Sequence, residues 1–545
     1  MMGPGDLEMS ELALVSRVAL ASIGPHGSLW GIRANEQSGV GTITSVSKRL
    51  FENLRLRTWL ARALVKLTVQ PQHEVFGDGG LLTAVIATKL VETVVANSSS
   101  SFDRFHMTQG LELILDFLRE KMKTDLVLEA GNGNGLIRPI LELHWNDMDS
   151  IVALVRGVIE PKLKAITASS SRGDMNHLCR TLAEAYVLAL PDNAYQKPRI
   201  GLLTIAGPSI SRSFSTSNLI IDIPISHQLE RMMPLTLPSI VVFNTSLDVD
   251  LARNEQQLGN SLDSDGYGVK IEVSRGFLGE CNAEAVMNFE LNLLVDLVKR
   301  LAKEKVSIVA CQKTIHPFVK QELVHRRIIP IERISLRHID AVASCCGVQP
   351  ISSIGEHSLS KLGSHVGKLQ RISLVRLERK KLVELEPTRD RNMQTVVLTA
   401  PSEISIEDLA TSCRSVFAVL NSAIASPYVI PGGGCIELVL STLIQSQVSS
   451  VPEASREERL TSKVLESFVQ VLRSIASNLQ GEKTLEKNEN GVEKSEAIFL
   501  SLQHFFAVSR KEEKLLDLVI SKLAAIEYAV DAACNLSRID RTLTT

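Results

Sequence analysis

The spacing of apolar side chains predicts that both ends of the chain are helical. In the first third, apolar residues recur every three or four positions, which places them on one face of a helix. The pair Gly24-Pro25 ends the first of these segments, because neither residue favours a helix interior. Helical spacing returns from residue 405 onward. The helices predicted before residue 200 are 7–22, 47–69, 80–97, 109–123 and those within 147–190.

The middle of the chain has a different pattern, in which strands and helices alternate. Short runs of mostly apolar residues at 201–205 and 239–243 predict strands. Helices and strands then alternate from 284 to 346, and more strands follow over 372–400. This order is typical of layered α/β domains. The pattern therefore predicts a multidomain α/β protein, with a central α/β domain inserted into a discontinuous helical domain.

Composition and charge exclude several classes of protein. The 545 residues are 44% apolar and 22% charged, which is typical of globular proteins with more than one domain. A net charge of −2 gives no electrostatic case for a nucleic-acid partner. No apolar run of membrane-span length and no signal peptide are expected. The eight scattered cysteines are typical of free thiols in a reducing compartment, so a cytoplasmic protein is expected.

Three polar or glycine-rich segments are predicted to be loops. The charged segment 481–495 has almost no apolar residues, which favours disorder. The segment 251–268 is rich in Gly and Asp and is expected to be exposed and mobile. Gly131–Gly135 could suggest a phosphate loop, but no suitable strand precedes it, so a flexible turn is favoured.

The segment Phe76–Val85 carries the most informative chemistry of the chain. Gly77, Asp78, Gly79 and Gly80 form a tight turn that runs into an apolar helix. Glycines let backbone N–H groups approach phosphate oxygens, and the start of a helix adds partial positive charge. An aspartate in such a turn can hold a phosphate-bound Mg²⁺ ion. The turn therefore indicates a nucleotide-phosphate site with Asp78 as its metal ligand.

Four separated motifs, taken together, resemble those of the group II chaperonins. The turn around Asp78 resembles their Gly-Asp-Gly nucleotide loop, although Gly80-Leu81-Leu82 replaces much of its hydroxyl-rich part. The other three motifs are the Gly24-Pro25-His26-Gly27 turn, the Gly432-Gly433-Gly434 turn ending at Glu437, and the closing helix Ser521–Asp540. Any one of them is weak by itself, but four in the expected order cover nearly the whole chain.

The resemblance implies three domains and an ATP and Mg²⁺ site. The equatorial, nucleotide-site domain would comprise 1–135 and 405–545. A small intermediate domain would comprise 136–198 and 356–404, and an apical, client-binding domain would comprise 199–355. The nucleotide-binding residues implied by the resemblance are Gly24, Pro25, Gly27, Gly77, Asp78, Gly79, Gly80, Gly432, Gly433 and Gly434.

Two positions that carry catalytic carboxylates in active group II chaperonins differ in this chain. Val46 stands where one aspartate would lie, and Ser415 stands at the other. Neither side chain is a useful base near neutral pH. Asp408 lies two helical turns before Ser415, about 10 Å along the helix, so it is not expected to substitute. Hydrolysis is expected to be weak or absent, whereas nucleotide binding and a purely structural role of the glycines both remain open.

The apical part narrows the resemblance to the Bardet–Biedl branch of chaperonin-like proteins. The similarity lies in Cys311–Pro317, Arg326–Ile334 and Cys346–Ile351, together with Cys435. It implies assistance in assembling the BBSome, beside other Bardet–Biedl chaperonin-like proteins and cytosolic chaperonin subunits, near the centrosome and ciliary base. The alternative is an ATP-driven folding subunit within a group II ring. Glycine and aspartate in 245–290 indicate that the helical lid of such subunits is remodelled.

Overall fold

A computed structural model of the protein divides the chain into two compact units. The first comprises Met1–Val187, Ala206–Ser213 and Leu398–Thr545, and the second comprises Leu188–Ile205 and Phe214–Val397. The residues that the structure describes are 4–24, 27–32, 42–98, 100–121, 128–129, 136–137, 139–163, 171–191, 196–223, 227–248, 283–354, 361–389, 392–448, 455–480 and 515–539.

Helices form most of the first unit and flank the main sheet of the second. In chain order they are α1 (Pro4–Ser22), α2 (Ser47–Asn53), α3 (Trp59–Val75), α4 (Gly80–Asn97), α5 (Ser101–Lys121), α6 (Met148–Ile159), α7 (Arg172–Leu188), α8 (His227–Met232), α9 (Ala283–Lys303), α10 (Pro317–His325), α11 (Leu336–Cys346), α12 (Glu403–Ala425), α13 (Cys435–Val448), α14 (Arg456–Gln480) and α15 (Val519–Ser537).

The strands are short in the first unit and longer in the second. In chain order they are β1 (Trp30–Ile32), β2 (Thr42–Thr44), β3 (Leu128–Glu129), β4 (Leu136–Ile137), β5 (Leu141–Glu142), β6 (Arg199–Ala206), β7 (Phe214–Thr216), β8 (Leu219–Ile221), β9 (Leu235–Thr236), β10 (Ser239–Phe243), β11 (Ile308–Cys311), β12 (Ile329–Ile331), β13 (Gly367–Leu377), β14 (Lys380–Pro387), β15 (Met393–Ala400), β16 (Tyr428–Pro431) and β17 (Leu516–Leu518).

The first unit is built around one large helical core. Helix α4 lies at its centre and packs against α1, α3 and α15. Its side chains are buried on nearly every side, which explains why the sequence of α4 is almost wholly apolar. Helix α14 packs against α5 and α13 and completes the core. A three-stranded sheet, in the order β17-β16-β5, joins chain segments that are far apart in sequence.

The second unit is a layered α/β structure. Its main sheet has the order β12-β11-β10-β13-β14-β8, with β9 paired to β13. Strands β10 and β11 run parallel, with Phe243 opposite Cys311. Alternate residues of β10 enter different cores: Ile240 and Val242 pack beside α11, whereas Val241 and Phe243 pack beside α9 and α10. Both sheet faces are therefore covered by helices, as parallel strands require.

The sequence predicted this mixed architecture correctly, and the fold class is confirmed. Helix α4 matches the predicted range 80–97, and β10 matches 239–243. Gly347 ends α11 with φ 71°, as a left-handed helix cap. The predicted helix 47–69 is in fact two helices, α2 and α3, separated by extended residues.

The structure gives a further correction, on membrane spans, and several predictions fall outside what it tests. Helix α4 is long and apolar enough to cross a bilayer, contrary to the expectation that no segment would be. Because most of α4 is buried inside the first unit, it is weak evidence of a membrane span. The three-domain boundaries stay a prediction. Pro25, the loops at 251–268 and 481–495, Gly131–Gly135 and most of the 245–290 segment lie outside the described residues.

Candidate nucleotide site

The turn around Asp78 joins two helices in a conformation that needs glycine. Gly77 ends α3 with φ 71°, and Gly79 begins α4 with φ 86°. Side chains rarely adopt such angles. The side-chain amide of Gln72 donates to the backbone oxygens of Asp78, at 2.7 Å, and Ser521, at 3.0 Å. The turn is thereby fixed to α15, and Asp78 stands at the amino end of a buried helix.

The other two predicted glycine turns adopt left-handed angles as well. Gly24, Gly433 and Gly434 have φ 79°, 75° and 93°. Both turns pack against the end of α14, because a Cβ at Gly24 would lie 3.3 Å from Leu479 and one at Gly434 would lie 2.9 Å from Ala476 Cα. Helix α14 therefore brings these two turns to one region of the first unit.

Asp78 is paired with a buried lysine that the sequence did not indicate. Lys162 Nζ lies 2.8 Å from Asp78 Oδ1, and the lysine is 8% exposed. Its backbone oxygen accepts a hydrogen bond from Ser45 Oγ at 2.8 Å, which fixes the short 3-10 helix Glu160–Lys162 beside β2. Burial alone would raise the pKa of the Asp78 carboxyl, but the Lys162 ammonium and the Gly79 N–H together outweigh burial, so that the pKa is lowered. Asp78 is therefore ionised near neutral pH.

The two replaced catalytic positions lie close to this turn. Val46 is fully buried and precedes α2 without capping it by a side chain. Ser415 lies on α12, where its hydroxyl donates to the Thr411 carbonyl at 3.2 Å. A Cβ on Gly77 would lie 3.1 Å from Ser415 Cα, so α12 touches the Asp78 turn. Ser415 is thus in the neighbourhood where a catalytic side chain would be needed, but its hydroxyl is engaged within its own helix.

Other groups hold one oxygen of Asp408, and the expectation that Asp408 does not replace the missing carboxylates stays a prediction. Thr44 Oγ1 donates to Asp408 Oδ1 at 2.8 Å, and Arg49 Nη1 lies 2.5 Å from the same oxygen. Burial raises the pKa of the Asp408 carboxyl, although Thr44 and Arg49 oppose this effect. Its role in this structure is to join β2, α2 and α12.

A cavity of about 290 Å³ adjoins Gly77 and Ser415, and it has a basic rim. Lys48, Arg49 and Arg414 line it together with His73 and one carboxylate, Glu52. The His73 ring nitrogen Nε2 lies 2.9 Å from Ser47 Oγ. Burial lowers the pKa of His73 to about 4, and the nearby Lys162 ammonium acts in the same direction. The imidazole is therefore neutral near pH 7.

A second buried ion cluster joins two of the predicted motifs. Glu437, from the triple-glycine motif, is fully buried and accepts from Lys522 Nζ of the closing helix at 3.0 Å. Asp517 lies 3.2 Å from the same nitrogen. A Cβ on Gly432 would lie 3.5 Å from Asp517 Oδ1, so this cluster adjoins the glycine turn. Burial would lower the pKa of Lys522, but the two carboxylates raise it instead.

The structure shows which residues of the candidate site the sequence indicated and which residues it missed. Among the predicted site residues, Gly77, Asp78, Gly79 and Ser415 lie together. Gly24 and Gly434 share the α14 surface, whereas Pro25 lies outside the described residues. The sequence reasoning missed Lys162, His73 and Asp517. No local motif marks them, because each becomes significant only through contacts across the fold.

The described residues fit a nucleotide with its metal ion. The start of α4 supplies N–H groups suited to phosphate oxygens, and the glycines around Asp78 let this turn pack closely on neighbouring side chains of α3 and α12. Asp78 would hold Mg²⁺, which would neutralise phosphate charge there. Among the described residues, no cluster of three or more metal-ligating side chains occurs, so phosphates would have to supply further metal ligands.

Comparison with known proteins identifies the family. Residues 15–545 match the TCP-1/cpn60 chaperonin family, and the chain therefore belongs to it. The predicted chaperonin membership is confirmed, and a chaperone-like role with oligomeric assembly and protein clients follows at this coarse level.

Individual relatives agree with this assignment. The chain is 24% identical over 483 residues to the mouse protein named molecular chaperone MKKS, a match covering 86% of this chain and 77% of the relative. The human protein of that name is 24% identical over 481 residues, with the same two coverages. A thermosome alpha subunit from Saccharolobus solfataricus is 24% identical over 468 residues, covering 84% of this chain and 74% of the subunit. The narrower resemblance predicted from the apical segments is thus confirmed.

Proposed function

We propose that this protein is a chaperonin-like assembly factor that binds nucleotide beside Asp78 but hydrolyses it weakly or not at all. Its clients would be subunits of the BBSome, and it would act with other Bardet–Biedl chaperonin-like proteins and cytosolic chaperonin subunits. We further propose that it acts in the cytoplasm near the centrosome and ciliary base. The similarity to proteins named molecular chaperone MKKS supports this proposal.

The observation that carries the proposal is the contrast between the two halves of the nucleotide site. The phosphate-facing half retains Asp78 and the left-handed glycines. The half that would activate water contains Val46, which is buried, and Ser415, whose hydroxyl is held by Thr411. Without a carboxylate at either of these two positions to orient and deprotonate water, bound nucleotide would persist. Such a site suits a protein that changes conformation when nucleotide binds and does not hydrolyse nucleotide in repeated cycles.

Co-expression of BBSome subunits with the full chain tests the client assignment. We expect the wild-type chain to raise the yield of subunit complexes and to co-purify with them. Asp78→Ala should reduce this yield if nucleotide occupancy is required, whereas Lys89→Met, on an exposed helix surface, should leave it unchanged. Equal yields with and without the wild-type chain would refute the client assignment.

A second candidate function is an ATP-driven folding subunit within a group II ring. The retained Asp78 and the glycine turns favour it, because these features also suit an active nucleotide site. This hypothesis requires a base other than the residues at positions 46 and 415. Glu52 and His73 both line the cavity, but the low pKa of His73 makes it a weak base, so Glu52 is the carboxylate that this hypothesis would have to use.

A further inference from the structure

The ion pair between Lys162 and Asp78 places a cation where a metal ion would have to bind. Lys162 Nζ lies 2.8 Å from Asp78 Oδ1, whereas about a third of the Asp78 side chain remains exposed. The carboxylate is therefore accessible, but one of its oxygens already has a positively charged partner. Among the described residues, no second carboxylate pairs with Lys162.

Local structure holds Lys162 in this position from both ends. Its ammonium is paired with Asp78, and its backbone oxygen accepts from Ser45 Oγ. A buried ammonium is costly unless an anion compensates it, so Lys162 cannot leave Asp78 without another negative partner. Gly77 and Gly79, both in left-handed conformations, flank Asp78 at the start of α4, where N–H groups suit phosphate oxygens. A phosphate group bound in this site is therefore the anion that could replace Asp78 as the partner of Lys162.

An Mg²⁺ ion on the same carboxylate would face Lys162 at short range. A divalent ion and an ammonium a few ångströms apart repel each other strongly, because a site in the protein screens charges less than bulk water does. The repulsion is strong enough to exclude the metal while Lys162 stays in place. It is removed when the ammonium turns to a phosphate, because the added negative charges compensate both cations.

We propose that Lys162 is the resident counter-ion of Asp78 and that it excludes free Mg²⁺ from the site until phosphate is present. This inference rests on the proposed nucleotide site for its phosphate step, but the exclusion of free metal does not depend on nucleotide. The consequence is that metal and nucleotide enter together. The site therefore does not bind the metal ion in the absence of nucleotide.

Titration of the full-length chain with Mn²⁺ in the absence of nucleotide, followed by electron paramagnetic resonance, tests the exclusion directly. Mn²⁺ is used because it takes oxygen ligands as Mg²⁺ does and is directly observable. Lys162→Met should bind Mn²⁺ at least about tenfold more tightly than the wild type, because the competing charge is gone. Lys162→Arg should behave as the wild type, and adding Asp78→Asn to Lys162→Met should abolish the gain.

Lys48→Met is the matched control, because Lys48 lines the adjoining cavity but is not paired with Asp78. An equal gain in Lys48→Met would mean that overall charge matters and would overturn the proposal. Mn²⁺ binding by the wild type as tight as that of Lys162→Met would overturn it as well. Circular dichroism verifies folding, and Lys162→Gln replaces Lys162→Met if the latter does not fold.

A separate titration with a fluorescent ATP analogue distinguishes this proposal from the proposed function. If the wild type fails to bind the analogue, with or without Mg²⁺, the proposed nucleotide site is wrong. The Mn²⁺ titration would still decide whether Lys162 keeps free metal ions from binding to Asp78. If the analogue binds, Mn²⁺ affinity of the wild type should rise in its presence.

Discussion

The protonation of the His73 side chain is controlled by the groups that surround its ring. Its ring is enclosed beside the Asp78 turn and is hydrogen-bonded to Ser47 Oγ, with Nε2 and Oγ 2.9 Å apart. A Cβ on Gly80 would lie 2.5 Å from Nε2, so the imidazole packs directly on the start of α4. A charge on this ring would be buried near Lys162, which explains why the pKa falls to about 4.

The low pKa of His73 predicts a specific loss of stability in mild acid. Because the pKa of His73 is lower in the folded chain than in the unfolded chain, the unfolded state binds more protons between pH 6.5 and 4. Folding stability should therefore fall as the pH falls through this range, by about 3 kcal/mol in total from this residue. His73→Gln should remove this part of the pH dependence.

Denaturant titrations of wild type and variant at several pH values measure this effect as a difference, which cancels the contributions of other groups. His144→Gln, at an exposed position, is the control and should not alter the profile. A constant difference between wild type and His73→Gln from pH 7 to pH 4 would contradict the low pKa.

The sequence predicted some residues of the site and not others for physical reasons. Gly77 and Gly79 were recognisable, because a left-handed turn before a helix leaves a local glycine pattern. Asp78 was recognisable for the same reason. Lys162 and His73 were not, because their roles depend on contacts with Asp78 and Ser47, which come from other segments. Ordinary Lys and His residues carry no local sign of such contacts.

At the scale of elements, the Glu437–Lys522 pair joins helices α13 and α15 next to the triple-glycine turn. Glu437 is fully buried, and only 18% of the Lys522 side chain is exposed. Asp517, in the strand before α15, shares the same ammonium. Two motifs that were recognised separately in the sequence are thus parts of one electrostatic unit.

Removal of Lys522 should destabilise this unit strongly. Lys522→Met leaves Glu437 buried without its partner, and we expect a loss of about 3–5 kcal/mol in the free energy of unfolding. Lys522→Met combined with Glu437→Gln should recover part of the loss, since the uncompensated charge is gone. Lys89→Met breaks a partly exposed pair with Glu92 and should cost about 1 kcal/mol or less. Similar losses for Lys522→Met and Lys89→Met in denaturant titrations would contradict this account.

Whole elements were predicted more reliably than their ends and their partners. The apolar spacing identified α4 and β10, because these elements are long or strongly apolar. It missed the break between α2 and α3, where apolar residues continue through an extended segment. It also gave no indication that β16 pairs with both β5 and β17. Strand pairing between distant segments is decided by the assembled fold and leaves little trace in local sequence.

At the scale of the whole molecule, family membership favours an ATPase, whereas the residues of the candidate site favour nucleotide binding without efficient hydrolysis. The chain matches the TCP-1/cpn60 chaperonins over residues 15–545, and its two compact units carry the expected mixture of helical and α/β structure. The phosphate-facing glycines and Asp78 suit nucleotide binding. Val46 and Ser415, by contrast, provide no carboxylate for water activation. Our account is therefore a chaperonin fold in which nucleotide binding is separated from efficient hydrolysis.

Measuring Mg-ATP binding and turnover on the purified full chain tests this account most directly, with Asp78→Ala as the comparison. The account predicts that the wild type binds Mg-ATP, that Asp78→Ala weakens binding by about tenfold or more, and that turnover stays near background. Steady turnover by the wild type that is lost in Asp78→Ala would contradict it and would establish the ATP-driven folding subunit in its place.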